Sequence, residues 1–173
     1  TLTAIATALN GRGRKLGAPI PERINAGDCT RQLIEGMAAR GLKLALVGGP
    51  PGEAERAADL FRSWTQQSPT APRVEIVLCR CGFFGDDEAE VIRLAIEAAD
   101  PDLVLLGMGA PRQERRALEW ASQGKPRTWW CVGALLEYYA GSRKRAPRWM
   151  RRAGLEWAVR LTLEPRRLWR RYL

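Results

Sequence analysis

The feature that most constrains the fold of this chain is an alternation of short apolar segments with amphipathic segments between Asp28 and Val132. The apolar segments are continuous, as strands are when helices cover both faces of a parallel sheet. Helical patterns separate them, and acidic residues, glycines and prolines mark the helix ends. The pattern predicts an α/β domain in which right-handed crossovers connect parallel strands. The predicted strands are 43–47, 74–79, 103–106 and 128–132.

Glycine turns follow three of these strands, at Gly48-Gly49, at Gly107-Met108-Gly109 and at Gly133. Ligands of open α/β sheets bind outside the carboxyl ends of the strands, so this edge is the predicted binding site. Taken alone, the first turn is better explained as a tight strand-to-helix connection.

The segment from Gly107 to Glu114 is more informative than the other turns. Its glycines let the backbone approach a ligand, and Pro111 starts a helix whose free N–H groups suit an anion. Gln113 lies in the first turn and can donate from its amide toward the same place. The alternative is that Gln113 is a solvated first-turn residue.

Composition excludes several classes of protein. The 173 residues, 46% of them hydrophobic, suit a single domain, and histidine is absent, which excludes Ser-His-Asp and Cys-His mechanisms and His-ligated metals. The four cysteines lack paired CxxC spacing, so we expect buried or half-buried free thiols rather than a zinc site. No apolar run approaches the ~20 residues of a spanning helix, and no leader pattern opens the chain. We therefore expect a cytoplasmic protein that at most lies on a membrane.

The surplus positive charge is confined to the last part of the chain. Residues 141–173 carry eleven Arg or Lys against two Glu, whereas residues 1–140 are neutral. Trp149, Trp157, Trp169 and Tyr172 lie among these charges, and two amphipathic helices are predicted here. Cations interleaved with interfacial aromatics suit an anionic membrane surface or a polyphosphate ligand. A nucleic-acid partner and a merely solvated basic helix are the alternatives.

Several segments, in this order, together resemble the WecG/TagA/CpsF glycosyltransferase family. The resemblance covers nearly the whole chain. The segments are 21–24 (Pro-Glu-Arg-Ile), 27–28 (Gly-Asp), 46–49 (Leu-Val-Gly-Gly), 107–114 (Gly-Met-Gly-Ala-Pro-Arg-Gln-Glu), 132–134 (Val-Gly-Ala), 145–150 (Arg-Ala-Pro-Arg-Trp-Met), 154–157 (Gly-Leu-Glu-Trp) and 164–173.

The resemblance implies a Rossmann-like nucleotide-sugar-binding domain over residues 1–140 and a basic helical appendage over 141–173 that docks on the membrane and the acceptor. It implies an inverting transfer, without metal or cofactor, of N-acetylmannosamine or a related sugar from UDP to undecaprenyl-diphosphate-linked N-acetylglucosamine. Such enzymes build wall teichoic acid or surface polysaccharide in bacteria. The expected partners are the UDP-sugar, the polyprenyl-diphosphate acceptor, the anionic inner face of the plasma membrane and possible further copies of the chain, but not nucleic acid.

The resemblance also implies roles for individual residues. Gln113 would contact the sugar or diphosphate, Arg23 would neutralise charge on the UDP leaving group, and Glu137 would hold the uridine. Arg160, Arg167 and Arg170 would face the acceptor diphosphate and the membrane. The expected nucleotide-sugar-binding set is Gly48, Gly49, Gly107, Gly109, Ala110, Gly133 and Glu137, and no metal ligand is expected.

The chain departs from the family pattern at its start. The family's proposed general base is an Asp in a turn one helix before the Pro-Glu-Arg segment, yet no Asp precedes Asp28 here. Two interpretations stay open: a fragment that begins just past that turn, which we favour, or a homologue that binds the same ligands without catalysis. A basic nucleic-acid-binding domain is a remote alternative.

Overall fold

A computed structural model describes residues 26–66 and 70–143 of the protein. Within these residues parallel strands form one sheet with helices on both faces, which confirms the predicted α/β class. In chain order the elements are α1 (Ala26–Ala39), β1 (Lys43–Gly48), α2 (Glu53–Thr65), β2 (Glu75–Arg80), α3 (Asp86–Ala99), β3 (Leu103–Gly107), α4 (Arg112–Gln123), β4 (Thr128–Cys131) and α5 (Leu135–Tyr139).

The strand order is β2-β1-β3-β4, and every neighbouring pair is parallel. The chain leaves β1 toward β2 on one side, whereas it leaves β3 toward β4 on the other. The connections diverge between β1 and β3, which makes the crevice above that pair the topological switch point of the sheet. Gly48 and Gly107 are the paired residues at this point.

Side chains of the central strands alternate between two apolar cores. Leu44 and Leu46 of β1 face the core formed with α1, α2 and α5, whereas Ala45 and Val47 face the core formed with α3 and α4. β1 is buried along all but its first residue and β3 along its whole length. Covering on both faces explains why these two strands have a continuously apolar sequence.

The two outer strands differ from that expectation. β2 and β4 are half-buried, and their first residues are exposed, because each has only one neighbouring strand within the described sheet. Their apolar sequences resemble those of the central strands, so the sequence did not separate edge from centre.

Acidic residues and a proline mark helix starts, as the sequence analysis expects. Asp28 lies in the first turn of α1, and Pro111 directly precedes α4 instead of being its first residue. The short helix α5 was not predicted. The acidic first turn of α3, with Asp86, Asp87 and Glu88, is as expected from the helix dipole. Within residues 26–66 and 70–143, no helix has both the length and the apolar character that a bilayer crossing requires. Residues 144–173, which hold most of the predicted appendage, lie outside the described residues.

Candidate functional site

The carboxyl ends of the strands approach one another so closely that only glycine fits there. A Cβ atom on Gly48 would lie 2.6 Å from the Cα of Gly107, and one on Gly107 would lie 2.8 Å from the carbonyl oxygen of Gly133. A Cβ atom on Gly82, after β2, would lie 2.8 Å from the Cα of Gly48. The structure thus brings the predicted glycines together and adds Gly82, which the sequence analysis had not singled out.

Backbone hydrogen bonds continue across this edge beyond the strands themselves. The N–H of Gly49 donates to the carbonyl of Gly107 at 3.1 Å, and the N–H of Gly82 donates to the carbonyl of Gly49 at 2.8 Å. We call the backbone of Gly48, Gly49, Gly82, Gly107 and Gly133 the glycine edge. It is a hydrogen-bonded layer of main-chain atoms at the switch point, in which Gly48, Gly49, Gly82 and Gly107 are buried and Gly133 is half-buried.

Gln113 joins the loop after β3 to the loop after β4. Its Oε1 accepts hydrogen bonds from the N–H groups of Gly109, at 3.1 Å, and Gly133, at 2.9 Å. Gly109 and Gly133 have φ angles of 81° and 59°, a region that favours glycine. Gln113 is 5% exposed, so the alternative that it is a solvated first-turn residue is wrong. We call this arrangement the Gln113 clamp; a contact with ligand stays a prediction.

Glu114 contacts the nitrogen of the Gln113 side-chain amide. The Nε2 of Gln113 donates to the Oε1 of Glu114 at 2.8 Å, which fixes the orientation of the amide. The Oε2 of Glu114 is buried, and no described residue donates a hydrogen bond to it. Glu114 belongs to the segment that the sequence analysis quoted, but no role was predicted for it.

A second buried carboxylate lies beside the glycine turn that follows β1. Glu53, the first residue of α2, is 4% exposed, and its Oε2 also has no donor among the described residues. Its Oε1 lies 3.7 Å from a guanidinium nitrogen of Arg56. A Cβ atom on Gly49 would lie 2.8 Å from the Oε2 of Glu53, so this carboxylate lies next to the glycine edge. Sequence reasoning missed this residue, because an acidic residue in a first helical turn is ordinary.

Two thiols, those of Cys131 and Cys79, have raised pKa values. Burial raises the pKa of Cys131, at the end of β4, and the negative charge of Glu114 raises it further. Burial, followed by the charge of Glu55, raises the pKa of Cys79 to about 11. The four cysteines are free and half-buried, in agreement with the prediction. Among the described residues, no cluster of three His, Cys, Asp or Glu is arranged to hold a metal ion.

The remaining predicted site residues are placed as follows. Ala110 is exposed in the loop after β3, and its peptide bond to Pro111 is cis. Glu137 lies on α5, where its Oε2 is 3.1 Å from the Nε of Arg143, and its carbonyl accepts a hydrogen bond from the Arg143 N–H at 3.2 Å. Arg23, Arg160, Arg167 and Arg170 lie outside the described residues.

Two grooves open at the opposite, amino-terminal edge of the sheet. One, of about 770 Å³, is lined by polar residues around Asp100 and Arg127. The other, of about 680 Å³, is apolar and lies between α1 and the starts of β3 and β4. Neither contains the glycine edge or the Gln113 clamp, so we place the candidate site at the carboxyl edge, where main-chain atoms and buried polar groups converge.

A comparison with protein families gives one match that spans these features. The model described as "Glycosyl transferase WecG/TagA/CpsF family" matches residues 6–173. The matched range includes the glycine edge, the Gln113 clamp and all the predicted arginines.

Proposed function

Since the chain belongs to the WecG/TagA/CpsF family of glycosyl transferases, we propose that it transfers N-acetylmannosamine or a related sugar from UDP to undecaprenyl-diphosphate-linked N-acetylglucosamine. The transfer would invert the anomeric centre and serve the synthesis of bacterial surface polysaccharide or teichoic acid on the inner face of the plasma membrane. The donor would bind at the glycine edge, and neither metal nor cofactor would take part.

The observation that carries this proposal is the convergence of the glycine edge and the Gln113 clamp at the switch point between β1 and β3. Backbone close to the start of α4 suits a diphosphate, because the helix dipole favours negative charge there. The Nε2 of Gln113 has two hydrogens, of which Glu114 accepts one, so the second is available to the sugar or diphosphate.

The basic segment starts beside the proposed uridine site. Arg143 pairs with Glu137, and the hydroxyl of Ser142 donates to the Glu137 carbonyl at 3.1 Å. This ion pair connects the start of the basic segment with Glu137. We infer that Glu137 holds the uridine and that arginines farther along the chain reach the diphosphates. Arg23 would neutralise the leaving UDP, while Arg160, Arg167 and Arg170 would bind the acceptor diphosphate at the membrane.

Calorimetric titration of UDP in the presence of EDTA tests the donor site. We expect binding without metal, and we expect Gln113→Ala to weaken it about tenfold or more, because both loops lose their common acceptor. Gln123→Ala, at the exposed end of the same helix, is the matched control and should bind UDP like the unchanged protein. Absence of UDP binding would contradict the proposal.

A turnover assay then separates catalysis from binding alone. Release of UDP from UDP-N-acetylmannosamine in the presence of the lipid-diphosphate acceptor is the expected result. Binding of UDP without release would instead support a non-catalytic homologue. The nucleic-acid alternative predicts a higher affinity for oligonucleotides than for anionic vesicles, and an affinity for oligonucleotides that falls steeply with salt.

A further inference from the structure

Glu114 has a buried oxygen for which the described residues supply no hydrogen-bond donor. Of its two carboxylate oxygens, Oε1 receives the Nε2 hydrogen of Gln113 at 2.8 Å, whereas Oε2 is buried without a donor among the described residues. A buried oxygen that has lost its water without gaining a partner costs about 1–3 kcal/mol, and more when it is charged. Such an atom is rare in a folded protein and calls for a partner.

A purely structural role does not account for this atom. The start of α4 favours a negative charge, but that interaction acts through space and leaves the lone pairs of Oε2 without a donor. The orientation of Gln113 needs only Oε1. Glu119, on the same helix, shows the ordinary pattern: it is half exposed, and its Oε2 accepts a hydrogen bond from Arg116 at 2.7 Å.

The position of the carboxylate connects it with the proposed donor site. It contacts the Gln113 clamp, which holds the loops after β3 and β4, and its charge acts on Cys131 at the end of β4. An ionised carboxylate only accepts hydrogen bonds, and a diphosphate also only accepts and carries the same charge. The partner of Oε2 must therefore carry an O–H or N–H donor, which the diphosphate lacks and the glycosyl group has.

We propose that Oε2 of Glu114 accepts a hydrogen bond from the glycosyl group of the bound nucleotide-sugar, through a hydroxyl or an acetamido N–H. This inference rests on the proposed function and assigns a sugar-recognising residue to the same site. Glu114 would thereby favour the intact donor over UDP, since UDP lacks the glycosyl group. A site that hydrogen-bonds a substrate donor discriminates strongly against a ligand without it, because the buried acceptor is then left unpaired.

Glu114→Gln tests the inference, because the amide keeps an oxygen for Gln113 but replaces the other oxygen with a donor. Affinities for UDP, UDP-glucose and UDP-N-acetylmannosamine are measured by calorimetry in the full chain. We expect Glu114→Gln to weaken binding of a UDP-sugar by about tenfold, as loss of a hydrogen bond to a charged group does, and to leave UDP within about twofold. Glu119→Gln is the matched control and should change neither affinity.

The two UDP-sugars show which group of the sugar donates the hydrogen bond to Glu114. An equal loss for both sugars assigns a hydroxyl, and a loss confined to UDP-N-acetylmannosamine assigns the acetamido N–H. Equal weakening of UDP and of the UDP-sugars would overturn the inference, because Glu114 would then act on the nucleotide. Unchanged affinities would also overturn it, although the proposed function would stand. If the unchanged protein binds neither UDP nor any UDP-sugar, the proposed function itself fails.

Circular dichroism and thermal unfolding show whether the Glu114→Gln variant keeps its fold, and alkylation of Cys131, followed by mass spectrometry, then reports the loss of the charge. Because the charge of Glu114 raises the pKa of this thiol, Glu114→Gln should lower that pKa and speed alkylation in mildly alkaline buffer. A folded variant with this faster alkylation and an unchanged preference for UDP-sugar over UDP contradicts the inference.

Discussion

At the scale of single residues, the contact between Gly48 and Gly107 is the most restrictive feature of the site. The atoms that a new Cβ on Gly48 would meet, at 2.6 to 2.8 Å, are all main-chain atoms of Gly107, which cannot turn away as a side chain can. Gly48→Ala should therefore separate β1 from β3 and lower the free energy of unfolding by about 2 kcal/mol or more. Denaturant unfolding measures the loss, and UDP binding should weaken with it.

Gly36→Ala supplies the control for this change. Gly36 lies inside α1, and the nearest atom to its new Cβ would be a guanidinium nitrogen of Arg40 at 3.3 Å, the end of a flexible side chain. Alanine is a better helix former than glycine by up to about 1 kcal/mol, so stability should stay the same or rise. An equal loss of stability in both variants would show that the close approach at Gly48 is not its cause.

The residues of the site were only partly predictable. Glycine after a buried strand is a local signal, and Gly48, Gly107 and Gly133 were found from it. The orientation of the Gln113 amide could not be predicted, because it depends on Gly133, twenty residues away in the sequence. The buried oxygens of Glu53 and Glu114, which have no donor in the described part of the chain, were missed for the same reason, since burial of single atoms depends on the packing of several elements.

At the scale of elements, Arg127 ties the end of α3 to the start of β4. Its side chain is 1% exposed, and its guanidinium donates to the Ile96 carbonyl at 3.0 Å and to Glu97 at 2.9 Å. The carbonyl of Ile96 lies in the last helical turn and also accepts a hydrogen bond from the Asp100 N–H at 3.1 Å. Arg127→Met should destabilise the protein by about 3 kcal/mol, because Glu97 loses its cationic partner and keeps, among the described residues, only the N–H of Lys125. Thermal and denaturant unfolding measure this loss.

Arg62→Met is the corresponding control on an exposed pair. Arg62 bonds to Asp59 at 2.9 Å on the surface of α2, and both side chains are well exposed. Exposed ion pairs contribute about 0–1 kcal/mol, so the change in stability should be small. A comparable loss in both variants would contradict the assignment of Arg127 as a tie between two elements.

The elements themselves were largely predictable, and their arrangement was not. Helix and strand periodicity located all four strands of the described sheet to within one or two residues. The order β2-β1-β3-β4 depends on how the crossovers pack, which leaves no mark on a single strand. The distinction between buried central strands and half-buried outer strands follows from that order, so periodicity alone could not supply it.

At the scale of the whole molecule, the division of charge predicts a division of function. Deletion of residues 144–173 removes ten Arg or Lys and two Glu and lowers the net charge from +9 to +1, while it keeps the pair between Arg143 and Glu137. The shortened chain should leave vesicles that contain anionic lipid, because juxtamembrane cations contribute about 1 kcal/mol each to such binding. Cosedimentation with vesicles at low and physiological salt measures the loss.

Substitution of the tail tryptophans separates charge from apolar insertion. Changing Trp149, Trp157 and Trp169 to Ala in the full chain preserves the net charge. The expected result is weaker but still salt-sensitive binding, since the electrostatic attraction remains. If the shortened chain bound to vesicles as strongly as the full chain, the docking role of the basic appendage would be refuted.

The Gln113 clamp also has a consequence for motion. One oxygen receives the amide protons of Gly109 and Gly133, which lie in different loops. A single rotation of that side chain therefore releases both protons to solvent at once, so their hydrogen exchange is governed by one opening event. We therefore expect the amide protons of the two loops to exchange at the same rate. A ligand that contacts either loop should slow the exchange of both.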